Sequence, residues 1–382
     1  MSAGLAPPPK SVLGRHRLLA PTASVFVSPL CLGAMNFGEA WKSFLGECSK
    51  ETAFEMLDYF YEQGGNFIDT AVNYQAGESE QWLGEWMQKH GRRNEVVLAT
   101  KYTGPFNHAL GTSVHQSNYG GTGSKSMYVS LESSLKNLQT DYIDLYYVHV
   151  WDFTTGIPEL MQSLNHLVQQ RKVLYLGVSD TPAWVVAQAN AYARQHGLRQ
   201  FSVYQGRWSA AERDFEREII PMCKSEGMSL APWGALGGGL FRSPDEGEKQ
   251  GGRNMPSIVT GKEGSVSVVL DRIAKKKGVP ITSIGLAYVM HKAPYVTPIV
   301  GGRKVEHLKS NIEALTIQLS PEEIDEIETG YDFQLGFPHN FLRGANKAPQ
   351  GPEDVKFTRS RVHADFVKGP QPIAPHQGPL DS

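Results

Sequence analysis

Eight times along this chain a short β-branched or apolar run gives way to a stretch with helical periodicity, and this alternation limits the fold more tightly than any other feature. The strand-like runs are PLCLGA from Pro29, NFIDT from Asn66, EVVLATKY from Glu95, YIDLYYVHV from Tyr142, KVLYLGVSD from Lys172, FSVYQGRW from Phe201, MSLAPWGAL from Met228 and VTPIVGG from Val296. Between them, apolar residues recur on one helical face. Ala53, Phe54, Leu57, Phe60 and Tyr61 form one stripe, and Trp82, Leu83, Trp86 and Met87 a second. Leu160, Met161, Leu164, Leu167 and Val168 form a third, and Val305, Leu308, Ile312 and Leu315 a fourth. Several strand runs are apolar almost throughout, as expected when both faces of a parallel strand are covered. Eight such units in series predict an α/β fold, a closed (β/α)8 TIM barrel. A doubly wound sheet would call for a Gly-x-Gly-x-x-Gly turn after its first strand. The first strand here ends in Gly33-Ala34-Met35-Asn36 instead, and no GxxxxGK[ST] loop is present.

The length of 382 residues would also hold two average domains. The repeat fills most of it, so the expected division is a flexible N-terminal arm over 1–24, a barrel over 25–330 and an irregular extension over 331–382. SPEEIDEIETG from Ser320 reads as a short capped helix, and the Gly- and Ser-rich stretch from Gly237 to Gly264 as a mobile loop on the catalytic face. A net charge of −2 disfavours nucleic acid or an anionic membrane as a partner. Three scattered cysteines suggest neither a disulfide framework nor a metal site. No apolar run reaches the roughly 18 residues of a membrane span, and the N-terminal stretch lacks a signal-peptide core, so a cytoplasmic location is expected.

Barrel sites lie at the C-terminal ends of strands. Asp69 ends the second predicted strand, Tyr74 follows in the next loop, Lys101 ends the third and His149 the fourth. A phenol with a pKa near 10 is a weak acid–base catalyst at neutral pH, and a neighbouring ammonium is expected to lower it. A carboxylate would keep that ammonium charged, and a histidine would orient a substrate oxygen. The set suits delivery of a proton to an oxygen that is becoming an alkoxide, with a hydride arriving from elsewhere.

Asp, Tyr, Lys and His in this order and on these strands resemble the aldo-keto reductase superfamily. The segments ATKYTGPF, YVHVWDFTTG, GVSDTPAWVVAQAN and YQGRW, with APWGALGGG, are most similar to fungal aryl-alcohol dehydrogenases and norsolorinic acid reductases. The resemblance implies Tyr74 as proton donor, tuned by Lys101 and Asp69, with His149 orienting the carbonyl. It implies a nicotinamide cofactor held by Ser179, Asp180 and Gln205 at its carboxamide, with Trp233 stacked on the ring. Asp180 stands where the superfamily more often has asparagine. Ala235, Leu236, Gly237 and Gly239 match the stretch beside the pyrophosphate. Gly301, Arg303, His307 and Asn311 match the adenosine end, although His307 departs from the Gln or Arg often found there. Arg303 could pair with a 2′-phosphate, which favours NADPH. The resemblance also implies that the C-terminal extension folds over the barrel mouth, with Phe333, Phe337 and Phe341 helping to close it.

Aromatics in the same loops, Trp41, Phe106, Trp151 and Trp208, favour a flat apolar substrate, and hydroxyls and amides from Ser113 to Lys125 would help to orient it. The expected activity is NADPH-dependent reduction of an aromatic aldehyde or ketone, or oxidation of the aryl alcohol, in fungal secondary metabolism and without a metal. Two other readings stay open: a cofactor-binding sensor akin to the potassium-channel subunits of the superfamily, and a redox-neutral cyclase or isomerase. The oligomeric state is not legible in the sequence.

Overall fold

Alternation along each strand decides which residues meet inside the protein. A computed structural model describes residues 4, 6–107, 111, 113–243 and 261–380. It contains a two-stranded antiparallel hairpin, β1 (Arg17–Ala20) and β2 (Ala23–Val27), and eight parallel strands. These are β3 (Cys31–Gly33), β4 (Phe67–Asp69), β5 (Val97–Tyr102), β6 (Ile143–Val148), β7 (Val173–Ser179), β8 (Phe201–Arg207), β9 (Ser229–Trp233) and β10 (Ile299–Val300). From β3 to β9 each strand pairs with the next in sequence, β10 pairs with β3, and the gap between β9 and β10 is closed by the Leu230–Val296 bridge, whose backbone bonds run from Leu230 N to Tyr295 O and from Thr297 N to Leu230 O. The predicted (β/α)8 barrel is therefore the fold.

Around the barrel lie α1 (Lys42–Leu45), α2 (Lys50–Glu62), α3 (Glu78–His90), α4 (Ser124–Asn137), α5 (Ile157–Gln169), α6 (Ala183–Gln195), α7 (Ile219–Glu226), α8 (Glu263–Lys277), α9 (Ile281–Lys292) and α10 (Val305–Glu313). The predicted stripes face inward: Leu57 and Phe60 on α2, Leu83 and Trp86 on α3, and Met161 and Leu164 on α5 are all fully or almost fully buried against the outer face of the strands. The chain continues through α11 (Pro321–Glu328), α12 (His339–Arg343) and α13 (Lys356–Arg359). α11 starts with the expected capping box: the Ser320 hydroxyl accepts from Glu323 N, and the Glu323 carboxylate accepts from Ser320 N.

Part of the expected N-terminal arm is ordered structure. Leu13, in a short 3-10 turn (Val12–Gly14), is fully buried, and the β1–β2 hairpin seals the base of the barrel. Leu19, Ala20, Ala23 and Val27 pack against the inward residues Cys31, Phe67, Val97, Leu145, Val203 and Ala231. The physical reason is that a barrel's lower rim presents apolar side chains that need a cover.

The C-terminal extension departs from its predicted course. Phe333, 4% exposed, lies under the guanidiniums of Arg213 and Arg217, each 4.6 Å from its ring. The chain then passes outside α7, where Lys224 Nζ donates to Gln350 O at 2.8 Å. It reaches the base, where Pro370 shares a small cavity with Pro21, Gly227, Met228 and Tyr295, and Arg15 donates to Leu380 O at 3.0 Å. Phe337 (81% exposed) and Phe341 (54%) pack on one another and, through Phe341, on Phe357, and among the described residues no ring contact joins them to Tyr74 or His149. The extension is thus a strap down the flank, tied at its start by the Tyr331 hydroxyl, which accepts from Arg213 N at 3.1 Å, and by Gln334 O, which accepts from the Arg217 guanidinium at 2.9 and 3.1 Å. Of the stretch from Gly237 to Gly264, residues 244–260 lie outside the described residues.

Candidate active site

Side chains two apart on a strand share a face, so the inward row that holds Phe67, Val97, Leu145 and Val203 deeper in the barrel also carries Asp69, Lys101, His149 and Gln205 towards its mouth. The register pairs Lys101 with Tyr147 and Ser179 with Gln205, which brings neighbouring strand ends to a common level. Tyr74 comes in from the turn after β4, whose next residues Gln75 and Ala76 hold left-handed backbone at φ 52° and 55°.

Lys101 is fully buried. Its ammonium donates to Asp69 Oδ1 at 2.5 Å and to Thr70 O at 2.7 Å, and it lies 4.9 Å from the centre of the Tyr74 ring. Asp69 Oδ2 accepts from Gln205 Nε2 at 2.9 Å, so both carboxylate oxygens are engaged. Burial pulls the Lys101 pKa down, but Asp69 and the Tyr74 oxygen more than offset this and it ends raised. The predicted lowering of Tyr74 is present as one contribution only: burial raises the phenol more than Lys101 lowers it, and the net shift is upward. A protonated phenol beside an ammonium is the outcome. His149 sits edge-on to Tyr74 with ring centroids 5.8 Å apart, and burial together with the Lys101 charge pushes its imidazole down to about 3. It is neutral, so one ring nitrogen carries a proton and can donate to a substrate oxygen.

Beyond the tetrad, Gln205 has given its amide N–H to Asp69 and keeps its carbonyl oxygen for a donor. Asp180, at φ 41°, reaches solvent at the rim, yet the protein crowds it enough to raise its carboxyl to about 6, against hydrogen bonds from Ser179 and Trp233 that lower it. Ser179 is buried, and its hydroxyl donates to Asp180 Oδ2 at 3.3 Å. Ala235 is buried, Leu236 is partly so, and Gly237 to Gly239 form a turn entirely at positive φ (66°, 63° and 89°) that only glycine adopts without strain. Gly301 and Arg303 are half-buried on the loop after β10, whereas on α10 His307 is exposed and folds back beside Gly302, and Asn311 is 5% exposed. Together these groups fit a nicotinamide dinucleotide: an amide acceptor at one end of the mouth, glycine backbone along it, and a guanidinium at the start of a helix at the other end.

The aromatics divide. Trp41 stands edge-on to Tyr74 at 6.1 Å, with Phe44 beside it at 5.5 Å. Trp151 packs edge-on to Phe153, and Phe106 to Tyr119. Trp208 differs: it is fully buried, stacked on Phe215 at 5.8 Å, and presents no surface to a substrate. In the stretch from Ser113 to Lys125, the Thr122 hydroxyl is spent on Asp152 and the Ser124 hydroxyl on Glu159, so these groups brace the loops. Sequence reasoning passed over Gln75. It is fully buried next to Tyr74, accepts from Trp41 N at 2.6 Å and donates to Met35 O at 3.0 Å, which docks the first loop on the tyrosine's turn. Its only sequence signal is its place beside Tyr74.

The sequence profile of the Aldo/keto reductase family matches residues 29–332. The chain belongs to that family. This aldo/keto reductase is 60% identical to an aryl-alcohol dehydrogenase of Pestalotiopsis microspora, with 98% of this chain and 96% of the relative aligned. It is 59% identical to norsolorinic acid reductase B of Dothistroma septosporum, over 94% of each chain. It is 54% identical to norsolorinic acid reductase A of Aspergillus parasiticus, over 98% of this chain and 96% of the relative. As an aldo/keto reductase it is an oxidoreductase that uses a nicotinamide cofactor on small carbonyl substrates. No helix among the described residues is long and apolar enough to cross a membrane.

Proposed function

We propose that this aldo/keto reductase uses NADPH to reduce an aromatic aldehyde or ketone, or to oxidise the corresponding aryl alcohol, in fungal secondary metabolism. The observation that carries the reading is the indole of Trp41 set edge-on to Tyr74, with His149 on the tyrosine as well. A carbonyl oxygen placed between phenol and imidazole would leave its substituent ring against the indole. The names of the relatives, aryl-alcohol dehydrogenase and norsolorinic acid reductase, support the same substrate class and setting.

Reduced nicotinamide supplies a hydride to the carbonyl carbon when bound. The rest falls to side chains. His149 donates a hydrogen bond that fixes the carbonyl oxygen and polarises it. Tyr74 gives its proton to that oxygen as charge develops. Lys101 stabilises the phenolate left behind, and Asp69 keeps Lys101 charged and aimed. Gln205, Asp180 and Ser179 hold the carboxamide and Trp233 flanks the ring. Ala235, Leu236, Gly237 and Gly239 line the pyrophosphate, while Gly301, Arg303, His307 and Asn311 form the adenosine end, with Arg303 on the 2′-phosphate. Trp41, Phe106 and Trp151 line the substrate pocket.

The test is NADPH oxidation measured against a panel of aromatic aldehydes and ketones, with aldose sugars for comparison. Turnover of aromatic carbonyls above sugars is expected. Tight NADPH binding without turnover would favour the sensor reading, and product without NADPH consumption the redox-neutral one.

A further inference from the structure

One loop touches both ends of the proposed cofactor site. The segment after β3 runs from Ala34 to Cys48. On the Tyr74 side, Trp41 N donates to Gln75 Oε1, and Glu78 Oε2 accepts from Glu39 N at 2.7 Å and Ala40 N at 3.0 Å. On the far side, Asn36 Nδ2 donates to Gly302 O at 3.2 Å, and Gly46 lies directly against the Arg303 guanidinium. A Cβ on Gly46 would stand 1.7 Å from Arg303 Nη1 and 2.7 Å from Cζ. The backbone makes the same demand. At φ 81° and ψ 167°, Gly46 occupies a region that is essentially glycine-only. Its flanks are anchored, with Leu45 1% and Cys48 2% exposed, and α1 joins Trp41 to Gly46 through the bonds Leu45 N to Trp41 O and Gly46 N to Lys42 O, both 3.0 Å. A loop pinned at Gln75, Glu78 and Gly302 cannot slide aside, so a side chain at position 46 must push the guanidinium instead.

We infer that Gly46 is a specificity-determining residue for the cofactor, a positioning residue that acts through Arg303. The absent side chain leaves the space in which the guanidinium is seated, and that seat sets the fork that meets a 2′-phosphate. Bidentate recognition of phosphate depends on orientation as well as charge, so a displaced guanidinium loses much of it. The inference rests on the reading of Arg303 as the 2′-phosphate contact.

The experiment measures dissociation constants of NADPH and NADH by titration calorimetry on the full chain, for wild type, Gly46→Ala, Arg303→Ala and the double variant. Arg303→Ala is expected to weaken NADPH and spare NADH; equal loss of both would overturn the Arg303 reading itself. Gly46→Ala is expected to weaken NADPH about tenfold or more, to leave NADH within about twofold, and to add nothing in the Arg303→Ala background. Retained NADH binding shows that the variant is folded. Unchanged NADPH affinity, or equal weakening of both cofactors, would overturn the role of Gly46 while leaving Arg303 intact.

Discussion

Replacing Asp69 with asparagine turns the stability of this protein into a reporter of one buried charge. Lys101 has no solvent exposure, and among the described residues its only charged partner at contact distance is Asp69, at 2.5 Å. At an effective dielectric of about 20, that separation corresponds to a Coulomb energy of about 7 kcal/mol, against a several-kcal/mol cost of burying each ion. Asp69→Asn preserves shape and an acceptor but leaves the ammonium uncompensated, which costs about 3–5 kcal/mol. The molecule has one escape, which is to deprotonate Lys101. Since the unfolded lysine titrates near 10.4, that escape costs about 1.4 kcal/mol for each pH unit below this value, or about 4.6 kcal/mol at pH 7 and about 1.2 kcal/mol at pH 9.5. In the wild type the Lys101 pKa is raised, so its contribution to stability is complete below the unfolded pKa and is lost only as pH climbs through the folded one. In the variant, burial, the largest influence on Lys101, prevails and the folded pKa falls. Stability relative to wild type should therefore recover as pH rises towards 10. Urea unfolding followed by tryptophan fluorescence at pH 7 and pH 9.5 gives the difference, and the penalty should shrink by about 2–3 kcal/mol between them. A penalty that is independent of pH would refute the idea that an unpaired ammonium causes it.

Tyr74→Phe should remove nearly all carbonyl reduction while NADPH affinity stays within about twofold in a binding titration. With saturating NADPH, kcat should show no imidazole titration between pH 5 and 8, because His149 is already neutral there; a step near 6.5 that vanishes in His149→Ala would count against the assignment. Trp41→Ala should raise KM for aromatic aldehydes with little change in melting, whereas Trp208→Ala, which empties a fully buried site, should cost about 3–5 kcal/mol of stability and leave KM near wild type. Truncation before Gly344 removes most of the flank strap and should lower the melting temperature without altering the preference among aldehydes.

The barrel and the tetrad were legible for one shared reason. Parallel strands covered on both faces must be apolar throughout, so Asp69, Lys101 and His149 stood out as polar residues at the ends of such runs. Trp208 misled because an aromatic in a mouth loop has the same sequence signature whether it faces the cavity or packs behind it; only Phe215, stacked on it, tells the two apart. The hairpin from Arg17 to Val27 went unread because its strands of four and five residues, joined at Pro21 and Thr22, alternate too briefly to mark them as structure. Their partner is the floor of a barrel whose existence must be inferred first. The strap eluded prediction for a related cause. It has little periodicity of its own, and its course is set by docking points such as Arg213, Lys224 and Arg15, which lie far away in sequence.

That strap has a practical consequence for anything joined to this protein. Arg15 and Leu380 meet at the base, on the side of the barrel opposite Tyr74 and Trp41. A tether, a surface or a second enzyme attached through either flanking stretch would therefore hold the barrel with its mouth pointing outward. Two enzymes coupled in this way would exchange intermediates across open solvent rather than mouth to mouth.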